Sequence, residues 1–201
     1  MPRVTDEHRT ARREQILDAA VTTFAVQGFQ ATGMAEIIAA SGLSAGAVYR
    51  YFVSKDQLIE AIVDRVLDEA AGRIEDLFAQ EDSLDAARAV GVVVSAVASI
   101  ADRGPVDFSR LAVQAWGEAL RNPAVARIAD RAYRRLRGVF AGVLRQEMEA
   151  GRLPATLDVP TTSAALLSLV IGFIVQRLLL GDVDPRSYAA AVAVLFQGAT
   201  S

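Results

Sequence analysis

Residues 32–56 of the chain, TGMAEIIAASGLSAGAVYRYFVSKD, decide its fold. The pattern predicts a short helix over about 34–41, a turn at Gly42, and a second short helix over about 45–52. Ser44 stands directly before the second helix, where its side chain can cap the first turn. Two short helices joined by a glycine turn predict a helix-turn-helix, which places its second helix in the major groove of DNA.

The second of these helices carries the side chains expected to meet DNA. Val48 and Phe52 stand four residues apart and define its buried side, so the Tyr-Arg-Tyr run at 49–51 is expected to face outward. Phenol and guanidinium groups donate hydrogen bonds to phosphates and base edges. Gly46 costs helix propensity, and two explanations stay open: close approach to a phosphate backbone, or a tight crossing with another helix.

The remaining sequence predicts further helices and no strands. The first helix is expected over about 10–27 and to end at Gly28, which suits the left-handed conformation, with Phe29 folding back onto it. Ser54 and Gln57 form a capping box for a fourth helix to about residue 78. Pro105, Pro123, Pro160 and Pro185 stand where helices begin. We expect helices over about 83–101, 106–120, 123–150, 161–180 and 185–197.

Composition argues against an enzyme and against a metal site. The chain of 201 residues has no cysteine and one histidine, His8, so thiolate chemistry, histidine general-base chemistry and histidine-rich metal sites have almost nothing to be built from. We therefore predict no catalytic residue, metal or cofactor. The net charge is −3, but DNA binding needs only a local cationic surface. Such a surface is predicted from Arg3, Arg9, Arg12, Arg13, Arg50 and Lys55.

The termini and the apolar segments predict a cytoplasmic protein. Residues 1–13 are polar and lack the apolar core of a signal peptide. The most apolar stretch, 164–180, is about 17 residues long, at the low end for a bilayer span. Gln176 and Arg177 interrupt it near its end. We expect this stretch to be buried in protein rather than in a membrane.

Residues 16–63 resemble the DNA-binding domain of the TetR/AcrR family of bacterial regulators. The resemblance is carried by Gly28-Phe29, by AASGLS at 39–44, by Gly46 and by YRYFVSK at 49–55. It implies an all-α fold, with a helix-turn-helix DNA-binding domain of three helices at 1–55 and a helical ligand-binding and dimerisation domain at 56–201. It also implies a homodimer that represses transcription until a small-molecule effector releases it from operator DNA.

The resemblance also implies which residues contact DNA. The positions that match the family's contacts are Thr32, Ser44, Ala45, Gly46, Ala47, Tyr49, Arg50, Tyr51 and Lys55. Gly33 departs from the family, which often has threonine or serine there to cap the second helix and touch phosphate. That leaves the cap to Thr32 or to the backbone of Gly33. Lys55 stands at a helix N-terminus, which disfavours a cation unless an anion such as phosphate lies nearby.

Two C-terminal helices, over about 161–180 and 185–197, are apolar enough to form a dimer interface. The first is apolar on most of its circumference, and Ser168, Gly172 and Gln176 follow one another on one seam. The resemblance implies that both helices form a four-helix bundle with their copies in a partner subunit. Burial in the core of a monomer is the alternative explanation for their composition.

The effector pocket is less well defined by the sequence. Residues 111–121, with Trp116 and Glu118, resemble the corresponding helix of regulators whose C-terminal half is like that of the choline-responsive repressor. Candidate pocket residues are Phe78, Phe108, Gln114, Trp116, Tyr133, Phe140 and Phe173. For each aromatic residue, ordinary core packing is the alternative. No cluster of carboxylates or aromatic residues identifies the effector.

Other classes of function stay open at this point. The acidic composition and Gly33 are compatible with a helical ligand-binding or partner-binding module that does not bind DNA. Activation of transcription, in place of repression, is a variant that the sequence does not separate. An enzyme with a helical core is the third class, and no constellation of residues supports it.

Overall fold

The computed structural model describes residues 6–80, 84–102 and 108–197. Within these ranges the chain forms nine helices and no strand, which confirms the predicted all-α fold. The helices are α1 (Asp6–Ala31), α2 (Met34–Ser41), α3 (Ala45–Tyr49), α4 (Lys55–Ala79), α5 (Ala86–Asp102), α6 (Phe108–Ala119), α7 (Pro123–Glu149), α8 (Val159–Leu180) and α9 (Pro185–Gln197).

The helices form two compact units. The first contains the described residues up to 66 together with 108–129, and the second contains 67–102 and 130–197. Helices α4 and α7 each supply residues to both units, and α6 belongs to the first. The functional division predicted at residue 55 stays a prediction.

The core of the first unit is built from the apolar faces that the sequence predicts. One buried residue recurs at each turn of α1, and the shorter helices add one or two each. These fully buried side chains are Ile16, Ala20, Phe24, Ile37, Val48, Leu58 and Ile62. Their burial fixes which sides of α2 and α3 face outward.

A kink at Gly28 interrupts α1. Its φ of 84° and ψ of 160° lie outside the left-handed helical region and belong to a conformation that essentially only glycine adopts. The sequence predicted that the helix ends here, but one further helical turn follows, to Ala31. Phe29 folds back as predicted and packs edge-on against Phe24, with ring centroids 5.0 Å apart.

Local caps set the helix boundaries around the helix-turn-helix. The Ser44 hydroxyl accepts a hydrogen bond from the Ala47 backbone nitrogen at 3.3 Å, and Gly42 has a φ of 67°. The Ser54 hydroxyl likewise accepts from the Gln57 nitrogen at 3.3 Å. The Gln57 side chain accepts from the nitrogen of Val53, one residue before the predicted partner. Helix α3 ends at Tyr49, earlier than predicted.

In the second unit, α5 packs against both α8 and α9. The hydroxyl of Tyr188 donates a hydrogen bond to the Leu169 carbonyl at 2.8 Å, which ties α9 to α8. Arg135 on α7 pairs with Glu75 on α4 at 2.8 Å. Asp85 accepts the backbone hydrogen bond of Arg88 at 2.8 Å, so α5 begins at Ala86, slightly later than predicted.

Helix α8 is longer than the apolar stretch at 164–180 identified in the sequence. It has 22 residues, so by length and composition it is able to cross a membrane. Only 33% of its most apolar window is buried within the chain. Burial inside one copy of the chain therefore accounts for one face of α8 and leaves the other face to be explained.

Candidate DNA-binding surface and ligand groove

Helix α3 presents one side to solvent and the other to the core. Val48 is fully buried and Phe52 nearly so. The opposite side is composed of small residues at the start of the helix and of large polar residues at its end. On α3 and at its two ends, Ser44, Ala45, Gly46, Tyr49 and Arg50 are exposed and Ala47 is half-buried. Tyr51, after the helix, and Lys55, at the start of α4, are half-buried. This side of α3 has the shape and the donors needed to approach a nucleic-acid backbone.

The space around Gly46 decides between its two explanations. A Cβ placed on Gly46 meets no atom within 4 Å. A tight helix crossing within the chain therefore does not account for this glycine. Close approach of an external molecule is the explanation that stays.

Cationic side chains surround this exposed side. The guanidinium of Arg50 lies 5.9 Å from the centroid of the Tyr51 ring, and that of Arg13 lies 5.5 Å from the Phe52 ring. Arg12 donates to the Gln15 side chain at 2.7 Å, and Gln15 in turn donates to the Ser41 carbonyl at 2.8 Å. These contacts hold positive charge beside α2 and α3. Arg3 lies outside the described residues.

Lys55 has an internal partner that the sequence did not reveal. Its ammonium donates to the Phe29 carbonyl at 3.0 Å and to the Gln30 carbonyl at 3.4 Å. These are carbonyls of the last turn of α1, which helix geometry leaves without N–H donors in the helix. The cation at the start of α4 is thus explained without phosphate, although its half-buried position still allows an external contact.

The prediction for Thr32 is corrected by the structure. Its side chain is only 1% exposed and its hydroxyl donates to the Gly28 carbonyl at 3.0 Å. It neither caps α2 nor reaches the surface, so we do not retain it as a DNA contact. Gly33 is the N-cap, and its backbone nitrogen donates to the Glu36 carboxylate at 3.0 Å. A Cβ on Gly33 would lie 2.9 Å from that carboxylate, so glycine suits this arrangement.

The residues predicted to line an effector pocket do not form one cluster. Phe78 and Phe140 pack edge-on in the second unit, with ring centroids 6.3 Å apart. Phe173 packs on Tyr188 at 5.2 Å, and Tyr133 is half-buried in the same unit. These contacts are those of ordinary core residues.

Two other candidates, Gln114 and Trp116, belong to the first unit. The Gln114 side chain accepts a hydrogen bond from the Phe29 backbone nitrogen at 3.0 Å, so it is occupied inside that unit. Trp116 is half-buried on the same helix. Phe108 begins α6, and its side chain lies outside the described part of the structure.

A groove that the sequence did not predict lies in the second unit, along α5 and α9. Its volume is about 640 Å³, and it is a shallow groove that is largely open to solvent. Small side chains form most of its wall, and two arginines add charge. Its lining residues are Leu77, Ala87, Arg88, Gly91, Val92, Ser95, Ala96, Ser99, Arg186, Ala189 and Ala193. The predicted pocket residues with described side chains do not line it.

Both arginines of the groove stand in the first turn of a helix. Asp184 precedes Arg186 and caps α9, where its carboxylate accepts from the Ser187 nitrogen at 2.9 Å and from the Ser187 hydroxyl at 3.0 Å. These hydrogen bonds hold the pKa of the Asp184 carboxyl below its ordinary value. In the sequence, the groove is indicated only by Arg88 and Arg186, each of which stands in the first turn of a helix that an aspartate caps.

Sequence profiles of known families match most of the chain. Residues 16–62 match the profile described as bacterial regulatory proteins of the tetR family. Residues 93–199 match the C-terminal domain of the BetI-type transcriptional repressors, which confirms the resemblance noted for 111–121. Together the two profiles account for both halves of the sequence.

Individual relatives agree with the profiles. An HTH-type transcriptional repressor of Mycobacterium tuberculosis, Rv1474c, is 29% identical and covers 96% of this chain and 95% of its own length. The HTH-type transcriptional regulator YfiR of Bacillus subtilis, described as uncharacterized, is 29% identical over 88% of this chain and 85% of its own. A transcriptional regulator of Saccharomonospora viridis, solved with choline, shares the fold with a TM-score of 0.78 at 19% identity, covering 94% and 96% of the two chains.

Proposed function

Since the chain belongs to the TetR family of bacterial transcriptional regulators, we propose that it is a homodimeric repressor that a small-molecule effector releases from operator DNA. The observation that carries this proposal is the exposed side of α3. Small residues there allow the helix to enter the major groove, and an adjacent tyrosine and arginine supply donors. The proposed DNA contacts are Ser44, Ala45, Gly46, Ala47, Tyr49, Arg50, Tyr51 and Lys55.

The proposed contacts divide into two kinds. Tyr49 and Arg50 are exposed and carry donors that reach base edges or phosphates. Arg12 and Arg13 lie on α1, where they add charge that attracts the phosphate backbone irrespective of sequence. The net charge of −3 does not oppose this arrangement, because DNA binding needs only a local cationic surface.

We propose that dimerisation covers the outer faces of α8 and α9. Ser168, Gly172, Gln176 and Leu179 follow one another about one turn apart on α8; Gly172 is half-buried and the others are exposed, Leu179 to 77%. On α9, Leu195 is exposed to 72%. Exposed leucines such as Leu179 and Leu195 are typical of interaction surfaces, and a two-fold axis lets the same surface cover its copy. This pairing also supports a cytoplasmic location, since it gives α8 an apolar environment without a membrane.

We propose that α6 links effector binding to the DNA-binding helices. It packs on α1 within the first unit. Gln114 accepts from the Phe29 nitrogen, and Glu118 accepts from the Gln30 side chain at 3.2 Å. Lys55, at the start of α4, binds the carbonyls of the same two α1 residues. A shift of α6 therefore acts on the end of α1 and on α4, and through them on the spacing of the two α3 helices in a dimer.

The proposed function is regulatory and involves no catalysis. Among the described residues, no group of three or more His, Cys, Asp or Glu side chains is placed to hold a metal ion. A helical module that binds a ligand but no DNA is the competing proposal, and it predicts no operator. Titrating the purified chain against the DNA that flanks its own coding region separates the two. The regulator gives saturable binding to one palindromic site, and the module gives none.

A further inference from the structure

We propose that the groove along α5 and α9 is the effector site and that it takes a small organic acid with an apolar body. This inference rests on the proposed function, which requires an effector without identifying one. It assigns a binding site to residues that neither the sequence pattern nor the relatives single out.

The size of the groove suits a small molecule. Its volume of about 640 Å³ lies within the range of about 300–1,000 Å³ usual for such sites. Gly91 and Ala189 bring α5 and α9 close together, since a Cβ on Gly91 would lie 3.3 Å from the Cβ of Ala189. Alanine, glycine and valine side chains then leave an apolar wall on either side of this contact.

The charge of the groove selects an anion. Among the described residues of the lining, Arg88 and Arg186 carry the charge and none is a carboxylate. Each arginine stands three residues, or one helical turn, before the residue of its helix that makes the close contact, Gly91 or Ala189. Both arginines line the groove, and hydrogen bonds from a guanidinium to an ionised acid are stronger than those to a neutral group.

The nearest carboxylates in sequence are already used by the backbone. Asp85 accepts from the Arg88 nitrogen and Asp184 from the Ser187 nitrogen, so both act as helix caps. Among the described residues, no carboxylate forms an ion pair with the Arg186 guanidinium. Asp184 attracts Arg186 through charge alone, and an acid bound in the groove would add a carboxylate that hydrogen-bonds to this guanidinium directly.

A cationic ligand has no matching groups in this groove. Quaternary ammonium ions are recognised by the faces of aromatic rings and by carboxylates, and the lining residues that the structure describes include neither. The serine hydroxyls of Ser95 and Ser99 are instead able to donate to a carboxylate. The ligand proposed here thus differs in charge from the choline bound by the Saccharomonospora viridis protein.

The groove and the proposed dimer surface lie on different sides of α9. Leu195 follows Arg186 by nine residues, which at about 100° per residue places it on the opposite face of the helix. Dimerisation through Leu195 therefore leaves the Arg186 side of α9 accessible to a ligand.

Calorimetric titration of the full chain with decanoate and 2-naphthoate tests the proposal, with decyltrimethylammonium as the cationic probe. We expect at least one acid to bind and the cation to bind at least tenfold more weakly. Arg186→Gln and Arg88→Gln should each weaken the acid by about tenfold or more, because each removes a charged donor. Ser95→Trp should abolish binding by filling the groove. Arg145→Gln removes an exposed arginine of α7 outside the groove and should bind as the unaltered chain does.

Either of two results would overturn the proposal: no binding by both acids, or binding that Arg186→Gln and Ser95→Trp leave unchanged. Circular dichroism of each variant shows whether it is folded, so that a loss of acid binding is not mistaken for a loss of structure. Operator binding is measured on the same samples. If the chain binds its operator but neither acid, only the inference about the groove is wrong. If the chain binds no DNA, the proposed function is wrong as well.

Discussion

Gln114 of α6 accepts a hydrogen bond from the backbone nitrogen of Phe29, and the two atoms are 3.0 Å apart. Phe29 directly follows the kink of α1 at Gly28. A side chain 85 residues away in sequence thus satisfies a backbone donor that the kink leaves without a helical acceptor. The bond joins α6 to the first unit and gives Gln114 a role other than ligand contact.

Replacing Gln114 tests this role. Gln114→Leu leaves the Phe29 nitrogen without its partner, so we expect the free energy of unfolding to fall by about 1–3 kcal/mol. Urea denaturation followed by circular dichroism measures the change. Gln114→Glu keeps an acceptor oxygen and should lose less. Equal stability of Gln114→Leu and the unaltered chain would contradict the assigned bond.

Gly46→Ala separates stability from DNA binding. The added methyl group meets no atom within 4 Å, and alanine favours a helix by about 0.5–1 kcal/mol, so the variant should be at least as stable. Its operator affinity should fall, because the methyl group stands where we place the DNA backbone. Thermal melts and operator titrations on the same sample give both quantities. A variant with unchanged affinity would leave Gly46 without the role proposed here.

The dimer surface is tested by placing charge on it. Leu179→Glu and Leu195→Glu each put a carboxylate into the proposed apolar interface, where burying an unpaired charge is costly. We expect sedimentation equilibrium to show a dimer for the unaltered chain and a monomer, or a much weaker dimer, for either variant. Leu120→Glu changes a leucine that is 88% exposed in the first unit and serves as the control. Dimers of unchanged strength in all three would refute the interface.

Operator binding should depend steeply on salt. If a dimer neutralises about six phosphates, raising the salt from about 50 to 200 mM should weaken binding by about a thousandfold, since counterions are released from the DNA. Arg12→Ala should reduce the slope of the logarithm of affinity against that of salt. A flat salt response would count against binding through the cations around α3.

Short-range signals made the helix-turn-helix predictable. Ser44 and Ser54 cap backbone nitrogens three residues away. The local sequence was therefore enough to predict the limits of α2 and the starts of α3 and α4. The prediction for α9 was likewise confirmed because Asp184 precedes Pro185 and caps the first turn. The exposed side of α3 followed from the spacing of its two buried residues.

Long-range contacts were the part that the sequence did not predict. Lys55 binds carbonyls about 25 residues before it, and Gln114 binds Phe29 across 85 residues. No periodicity or cap encodes such pairs, so both side chains were assigned to ligands instead. The groove was missed because its wall is made mainly of alanine, glycine and valine, residues whose composition looks like ordinary helix packing.

The most direct test of the account is the affinity of Arg50→Ala for the operator, compared with that of Arg145→Ala. Arg50 is exposed at the end of α3 and Arg145 on α7, so both changes remove one exposed cation. Loss of one contact to the DNA major groove per subunit should weaken operator binding by about tenfold or more. The helicity measured by circular dichroism should be unchanged. The account predicts this loss for Arg50→Ala and none for Arg145→Ala. Equal affinities for Arg50→Ala and the unaltered chain would contradict the placement of α3 in the DNA groove.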